Sequence, residues 1–370
     1  MKIITFYLPQ FHCFPENDEW WGKGFTEWTN VKNAVPLFTG HNQPRIPLNK
    51  NYYDLTDGET LKWQSDLAKK YGIYGFCYYH YWFNGKLLME KPMEMMLNDK
   101  SIDLPFCICW ANENWTKAWA KRSKEILIAQ KYENKKDWEN HFLYLLKFFK
   151  DPRYIYENNK PILIIYRPEQ IPCLQELLLY WEKRAKEEGL RGISFIYQQR
   201  FFDHQKDKGG ELFDYGIEYQ PGYAMEEQKK SFGIVIRKLL NVVVNRFKLR
   251  QTKLSTIIYD YDKTWQYILK MSPKDKKMIP GAFVDWDNTP RYKGMASLFQ
   301  GVTPKKFEKY LSLQIQNAKQ KYHKDMIFLF AWNEWGEGGY LEPDELNGYG
   351  MLAAIKNALD KNQEFPQYPI

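Results

Sequence analysis

Short apolar runs alternate along the chain with stretches whose apolar residues return every three or four positions. The runs are strand-like and the stretches helix-like. Residues 3–8, 75–82, 105–110, 161–167, 192–199, 213–219, 278–286 and 326–331 predict eight strands. Residues 56–71, 86–97, 137–150, 174–188, 303–322 and 349–359 predict helices, the first closed by Gly72 as C-cap. This alternation predicts an α/β fold, a (β/α)8 TIM-type barrel with long loop insertions. An open doubly wound sheet would carry a glycine-rich phosphate turn after its first strand. Pro9-Gln10-Phe11 stands there instead. Residues 1–370 read as one catalytic barrel domain, with a basic, partly helical insertion at about 225–272. The loop after the first strand holds Trp20, Trp21, Glu27 and Trp28. It is too aromatic for disorder and reads as functional.

Aromatic residues make up 17% of the 370, with 14 Trp, 27 Tyr and 23 Phe. Tyr and Trp offer flat apolar faces with a polar handle, which suits sugar rings. A net charge of +8 admits an anionic partner, either a membrane surface or a phosphate-bearing substrate. No Lys/Arg block is dense enough to argue for nucleic acid. Cys13, Cys77, Cys107, Cys109 and Cys173 form an odd set without metal-type spacing. They read as reduced thiols of a cytoplasmic protein. The N-terminal apolar run is too short for a signal peptide, and no stretch reaches the ~20 apolar residues of a membrane span.

In a barrel the residues just past each strand converge on one face. Here the strand ends supply His12, then His80 and Trp82, then Asn112, Glu113 and Trp115, then Arg167. They continue with Gln198, Gln199 and Arg200, with Glu218 and Gln220, and with Asp285, Trp286, Asp287 and Asn288. The last strand ends in Trp332-Asn333-Glu334-Trp335-Gly336-Glu337-Gly338. Hydrogen-bonding groups interleaved with aromatic rings suit a polyhydroxylated ligand. Metal-type histidines are few, so neither a zinc site nor a cofactor is expected. Glu334 and Glu337 are three residues apart, close enough for both to serve one sugar. Two carboxylates divide acid and base work when their surroundings push their pKa values apart. Trp332 and Trp335 stand where they would desolvate one of the two.

Five motifs together resemble a known family. They are Phe6-Tyr7-Leu8-Pro9-Gln10-Phe11-His12, Gly24-Phe25-Thr26-Glu27-Trp28, Trp110-Ala111-Asn112-Glu113-Asn114-Trp115, Trp286-Asp287-Asn288-Thr289-Pro290-Arg291 and the 332–338 motif. They look like the WbsX-type proteins of bacterial surface-polysaccharide gene clusters, usually called glycosyltransferases. That barrel is similar to family 99 of the glycoside hydrolases, the endo-α-mannosidases. The first resemblance spans nearly the whole chain; the second is mainly the last motif and the architecture. The hydrolase resemblance implies that Glu334 deprotonates a sugar 2-hydroxyl, whose oxygen then attacks its own anomeric carbon. It implies that Glu337 is the general acid and later the base. This route departs from ordinary two-carboxylate retention, in which one acid bonds covalently to the sugar. The hydrolases generally carry His where this chain has Gly336, which alters contacts in the leaving-group region.

The remaining candidates keep alternatives. Asn112, Glu113 and Asn114 orient hydroxyls or cap the following segment. Asp285-Trp286-Asp287 matches the D-x-D pattern of metal-dependent nucleotide-sugar transferases. A barrel setting favours hydroxyl contacts for it, with Arg291 as structural partner or anion contact. His12, His80, Trp28, Trp82, Gln198, Glu218, Asn333 and Trp335 complete the set of substrate-contact candidates. Residues 234–250 read as an interfacial helix on anionic lipid at the inner membrane or, more ordinarily, as a barrel helix with a solvated basic face. Three functions therefore stand. One is a carbohydrate-active enzyme of O-antigen or capsule biosynthesis using Glu334 and Glu337 on an oligosaccharide or lipid-linked glycan. The others are a metal-dependent nucleotide-sugar transferase and a non-catalytic glycan-binding assembly factor.

Overall fold

Eight parallel strands close on themselves around an aromatic interior. In chain order they are β1 (Lys2–Tyr7), β2 (Gly75–Phe83), β3 (Phe106–Trp110), β4 (Lys160–Ile165), β5 (Ser194–Gln198), β6 (Tyr215–Ile217), β7 (Met278–Ile279 continued by Gly281–Phe283) and β8 (Met326–Phe330). Successive strands pair in parallel, and β8 pairs with β1 to close the barrel. Pro280 has no N–H to donate, and it separates the two pieces of β7. The computed structural model describes all residues except 117–124, 133, 201, 229–231, 248, 250–251, 293–295 and 369–370. Strands β3 and β8 are buried at every position, because helices cover one face and the interior fills the other. Phe6 stacks on Tyr79 at 5.5 Å and meets Tyr219 edge-on, and Phe330 meets Tyr219 from β8. These rings form an aromatic floor inside the barrel.

Three stretches differ from the sequence expectation. Residues 86–97 are not one helix. Lys86–Leu88 is a strand paired antiparallel with the end of β2, and the helix is Lys91–Asn98. Asn84 and Gly85 both have positive φ, which is the two-residue turn that Asn-Gly favours. The loop after β1 contains two short helices, Pro15–Trp21 and Glu27–Lys32. A reciprocal capping box between Thr26 and Thr29 starts the second and fixes the position of Glu27. The basic stretch holds helices Gly222–Gln228 and Phe232–Arg246 and a strand, Ile257–Asp260, that pairs in parallel with Ser297–Gln300. Its last helix, Tyr261–Lys270, belongs to the barrel wall: Trp265 stacks on Phe283 of β7 at 5.2 Å and on Tyr310 at 5.7 Å.

The solvated basic face expected over 234–250 is not what the helix shows. Arg237 and Lys238 are half-buried, and the exposed residues are mainly apolar. Lys248 and Arg250 of that stretch lie outside the described residues. No described helix is long and apolar enough to cross a membrane.

Candidate active site

A cleft of about 610 Å³ opens at the C-terminal ends of the strands. All eight strand ends reach it, through Gln10, Tyr81, Glu113, Tyr166, Arg200, Tyr219, Trp286 and Glu334 in chain order. The basic insertion adds an outer wall with Met225, Lys238 and Tyr259.

Arg291 organises the chemistry. It sits in the loop after β7 and touches three carboxylates from two other loops. Its Nε donates to Glu27 Oε1 at 2.9 Å and its Nη2 to Glu334 Oε2 at 3.0 Å. Its Nη1 lies 2.8 Å from Glu337 Oε1. Arg291, Glu27 and Glu334 are all buried, while the Glu337 side chain keeps 19% exposure toward the cleft. A planar guanidinium has donors enough for this arrangement, and a lysine does not. Gly336 lies directly behind it. A Cβ there would stand 2.2 Å from Glu27 Oε1 and 2.8 Å from Arg291 Nε. Glycine at this position is therefore what admits the Glu27–Arg291 pair.

One guanidinium cannot neutralise three carboxylates. Burial raises the carboxyls of Glu334 and Glu337 above the ordinary carboxylate range. Arg291 opposes the rise, Glu337 and Glu27 add to it at Glu334, and Glu27 adds to it at Glu337. Both carboxyls thus hold a proton to higher pH than an ordinary carboxylate, and the pair titrates as a unit. Tyr81 and Tyr219 feel the charge of Glu334, and Tyr166 that of Glu337. Trp332 and Trp335 do not line the cleft. Trp332 is buried against Phe76, and Trp335 stacks on Tyr340 at 3.7 Å with its Nε1 donating to Glu342. Both indoles pack behind the turn, away from the cleft.

Of the sequence candidates, the cleft brings together Glu113, Asn114, Trp115, Arg200, Trp286, Asn288, Arg291, Glu334 and Glu337. The others stand off its wall, each with an identifiable partner. His80 and His141 share a hydrogen bond between Nε2 atoms at 2.9 Å, and burial pushes His80 down to about 3. Trp82 stacks on His141, and its Nε1 donates to Asp137. Side chains alternate along a strand, so His80 and Trp82 face the helix layer while Tyr79 and Tyr81 face the cleft. Asn112 Nδ2 donates to the Arg167 carbonyl at 2.8 Å, and the Arg167 N–H donates back to its Oδ1 at 2.7 Å. Asn333 clasps both backbone groups of Leu8 in the same way, at 3.0 and 2.8 Å. These two amides act as backbone surrogates that hold neighbouring loops.

Asp285 accepts from Arg45 Nη2 at 2.8 Å and from the Trp286 N–H. Asp287 accepts from Gln43 and from the Thr289 N–H and hydroxyl, and lies 2.9 Å from His41 Nε2. Placement of Asp287 on the cleft wall is thus corrected: these acids anchor loop 41–45. Among the described residues, no three His, Cys, Asp or Glu side chains form a metal-holding group. Glu218 points to the helix layer, where the Tyr322 hydroxyl donates to it at 2.7 Å. Gln198 lies inside the barrel near Cys109, His12 is buried beside Phe14, and Trp28 donates to the Tyr53 carbonyl.

A sequence profile described as "Glycosyltransferase WbsX" matches residues 3–355. The chain belongs to this family. The family's description is that of a glycosyltransferase. An uncharacterised protein, WxcX of Xanthomonas campestris pv. campestris strain B100, is 34% identical over 361 residues, covering 97% of this chain and 50% of the relative. The chain therefore spans about half the length of the curated relatives it matches. Among solved structures, the GH99 endo-α-mannosidase of Bacteroides thetaiotaomicron superposes with a TM-score of 0.57 at 12% identity, covering 98% of this chain and 97% of that one. A glycoside hydrolase-like protein superposes with a TM-score of 0.59 at 11% identity, covering 99% and 94%. At such identities the likeness concerns the fold. It agrees with the closed barrel described above.

Proposed function

We propose that this chain makes or breaks a glycosidic bond during bacterial surface-polysaccharide (O-antigen or capsule) biosynthesis, with Glu334 and Glu337 as its acid–base pair. The observation that carries the reading is the pair itself: a buried carboxylate and a partly exposed one sharing Arg291 at the base of an aromatic cleft. Glu334 is the deeper of the two, with its side chain 6% exposed against 19% for Glu337. A base that takes the proton of a bound sugar's 2-hydroxyl belongs at depth. An acid that protonates a departing oxygen belongs toward the mouth. The freed 2-oxygen attacks the anomeric carbon of its own ring as the glycosidic bond breaks, and Glu337 delivers the proton to the leaving oxygen. Water or an acceptor hydroxyl then reopens the three-membered ring by attack at the anomeric carbon, with Glu337 taking its proton and Glu334 returning a proton to the 2-oxygen. The substrate is an oligosaccharide, free or lipid-linked, and the five cysteine thiols fit a cytoplasmic site of action.

The test compares leaving groups. Loss of a general acid or base typically costs ~10²–10⁴-fold in rate. Glu337→Gln should recover much of that loss with a dinitrophenyl leaving group, which needs no proton. Glu334→Gln should recover less, because every substrate must use its 2-hydroxyl. A stable 2-fluoroglycosyl adduct on Glu334 would make that carboxylate a direct nucleophile. Full activity of both variants, with loss of activity under chelation that added divalent metal restores, would favour a metal-dependent nucleotide-sugar transferase. Glycan binding without turnover by the native chain would favour an assembly factor.

A further inference from the structure

The helix Phe232–Arg246 is built inside out relative to a helix that faces water. Its positions advance by about 100° per residue. Ile234, Arg237, Lys238, Asn241, Val244 and Asn245 share one arc, and these are the buried or half-buried positions. The polar members hold protein there. Arg237 Nη1 donates to the carbonyls of Lys253 and Thr256, and Asn241 Nδ2 to that of Ser255 at 2.9 Å. The opposite arc, roughly 160° wide at that helical period, carries six apolar residues, Val235, Ile236, Leu239, Leu240, Val242 and Val243, with Arg246 among them in the last turn. Each of those six is at least 40% exposed. Phe247, Leu249 and Leu254 extend the same exposed apolar character past the helix end. Scattered exposed apolar residues are ordinary, whereas a contiguous face of this kind marks an interaction surface.

Charge selects the occupant. From residue 228 to 259 the sequence holds eight Lys/Arg and no Asp or Glu. Arg246 is exposed on the same arc, and Lys253 is exposed next to Leu254 in sequence. Apolar side chains flanked by cations suit an anionic bilayer, where the former enter the acyl boundary and the latter stay among the headgroups. A second copy of the chain would bring a face of the same charge. The helix is also part of the cleft: Lys238 on its inner side lines the wall, together with Ile257 and Tyr259 of the following strand.

We propose that this helix docks the chain on an anionic membrane surface and thereby presents the cleft to a glycan carried on a lipid. The glycan part rests on the function proposed above, and the docking part does not. The test uses the full chain with phosphatidylcholine vesicles, with and without phosphatidylglycerol. The chain should sediment with the anionic vesicles at low salt, stay in solution with the neutral ones, and be released at least tenfold as salt screens the charge. Leu239→Ser/Val243→Ser/Phe247→Ser should lower binding at least tenfold, and Arg246→Gln/Lys253→Gln should weaken it on anionic vesicles. A single Leu239→Trp should blue-shift its emission when anionic vesicles are added, whether or not the triple variant folds. Equal binding to both vesicle types, or wild-type binding by the triple variant, would overturn the proposal. So would a dimer in light scattering that the serines dissociate, since a second copy would then cover the face. Vesicle binding is measured without glycan, so docking without turnover would refute the proposed activity alone. Turnover of a soluble glycan fragment without docking would refute this inference alone.

Discussion

Arg291→Met removes one cation from three carboxylates, two of them buried, while keeping much of the side chain's bulk. The guanidinium stands 2.9 Å from Glu27, 3.0 Å from Glu334 and 2.8 Å from Glu337. At an effective dielectric near 20, two unit charges about 4 Å apart interact by about 4 kcal/mol. Removing three such attractions would rival the whole stability of a typical domain, about 5–15 kcal/mol. The carboxyls escape that cost by taking up protons, so protonation sets the loss. A carboxyl whose folded pKa exceeds its unfolded value binds its proton more tightly in the folded state. Its contribution favours the fold below the unfolded value and is lost as pH rises through the folded one. Glu334 and Glu337 are already raised in the native protein, and loss of Arg291 raises them further. Each added unit of pKa costs about 1.4 kcal/mol at pH values above the new folded pKa. Arg291→Met should therefore cost little near pH 5 and increasingly more as pH rises past about 8, where native Glu334 titrates, approaching near pH 10 the ~3–5 kcal/mol found when a buried ion pair loses one partner. Urea denaturation across this pH range measures it. An equal loss at both ends, or a gain at the upper end, would refute the shared-cation account. The pH optimum of any remaining activity should also move upward, since Glu334 must ionise to act as base.

Gly336→Ala places a Cβ 2.2 Å from Glu27 Oε1, so it should cost about 1–3 kcal/mol by overpacking and reduce turnover by displacing Arg291. Adding Glu27→Ala should relieve the crowding, and a double-mutant cycle in urea that shows simple additivity would contradict the contact. Glu218 is pushed up to about 7 by burial, so its contribution favours the fold below the unfolded value and is lost as pH rises through about 7. Glu218→Gln should therefore flatten the fall in stability between pH 5 and 8.5 by about 3 kcal/mol, and an unchanged slope would argue that Glu218 ionises without penalty. The differing rescue of Glu334→Gln and Glu337→Gln by activated leaving groups, read as kcat/KM, is the corresponding expectation for catalysis.

The barrel was legible in the sequence because eight apolar runs alternating with helical stretches leave few other ways to bury so much surface. The Glu334/Glu337 turn was legible because two acids flanked by tryptophans and glycines after the last run suit few ordinary loops. The hairpin at Asn84-Gly85 was also written there, and its turn dipeptide outweighs the helical spacing that follows it.

Three features were decided only by the tertiary structure. The first is which side of β2 meets the cleft. Strands of a parallel barrel are buried on both faces, so residues 75–82 show no alternation, and nothing local distinguishes His80 and Trp82 from Tyr79 and Tyr81. The second is the meeting of Glu27, Arg291 and Glu334, which come from loops far apart in sequence and share one guanidinium only after the barrel closes. The third is the direction of the Phe232–Arg246 helix. Its two faces can be read from a 3.6-residue period, but the period does not say which face looks inward. Here the polar arc finds backbone carbonyls to satisfy, and the apolar arc is left outside. Local pattern specifies that a side chain will be sorted, while the partners brought by distant segments determine to which side.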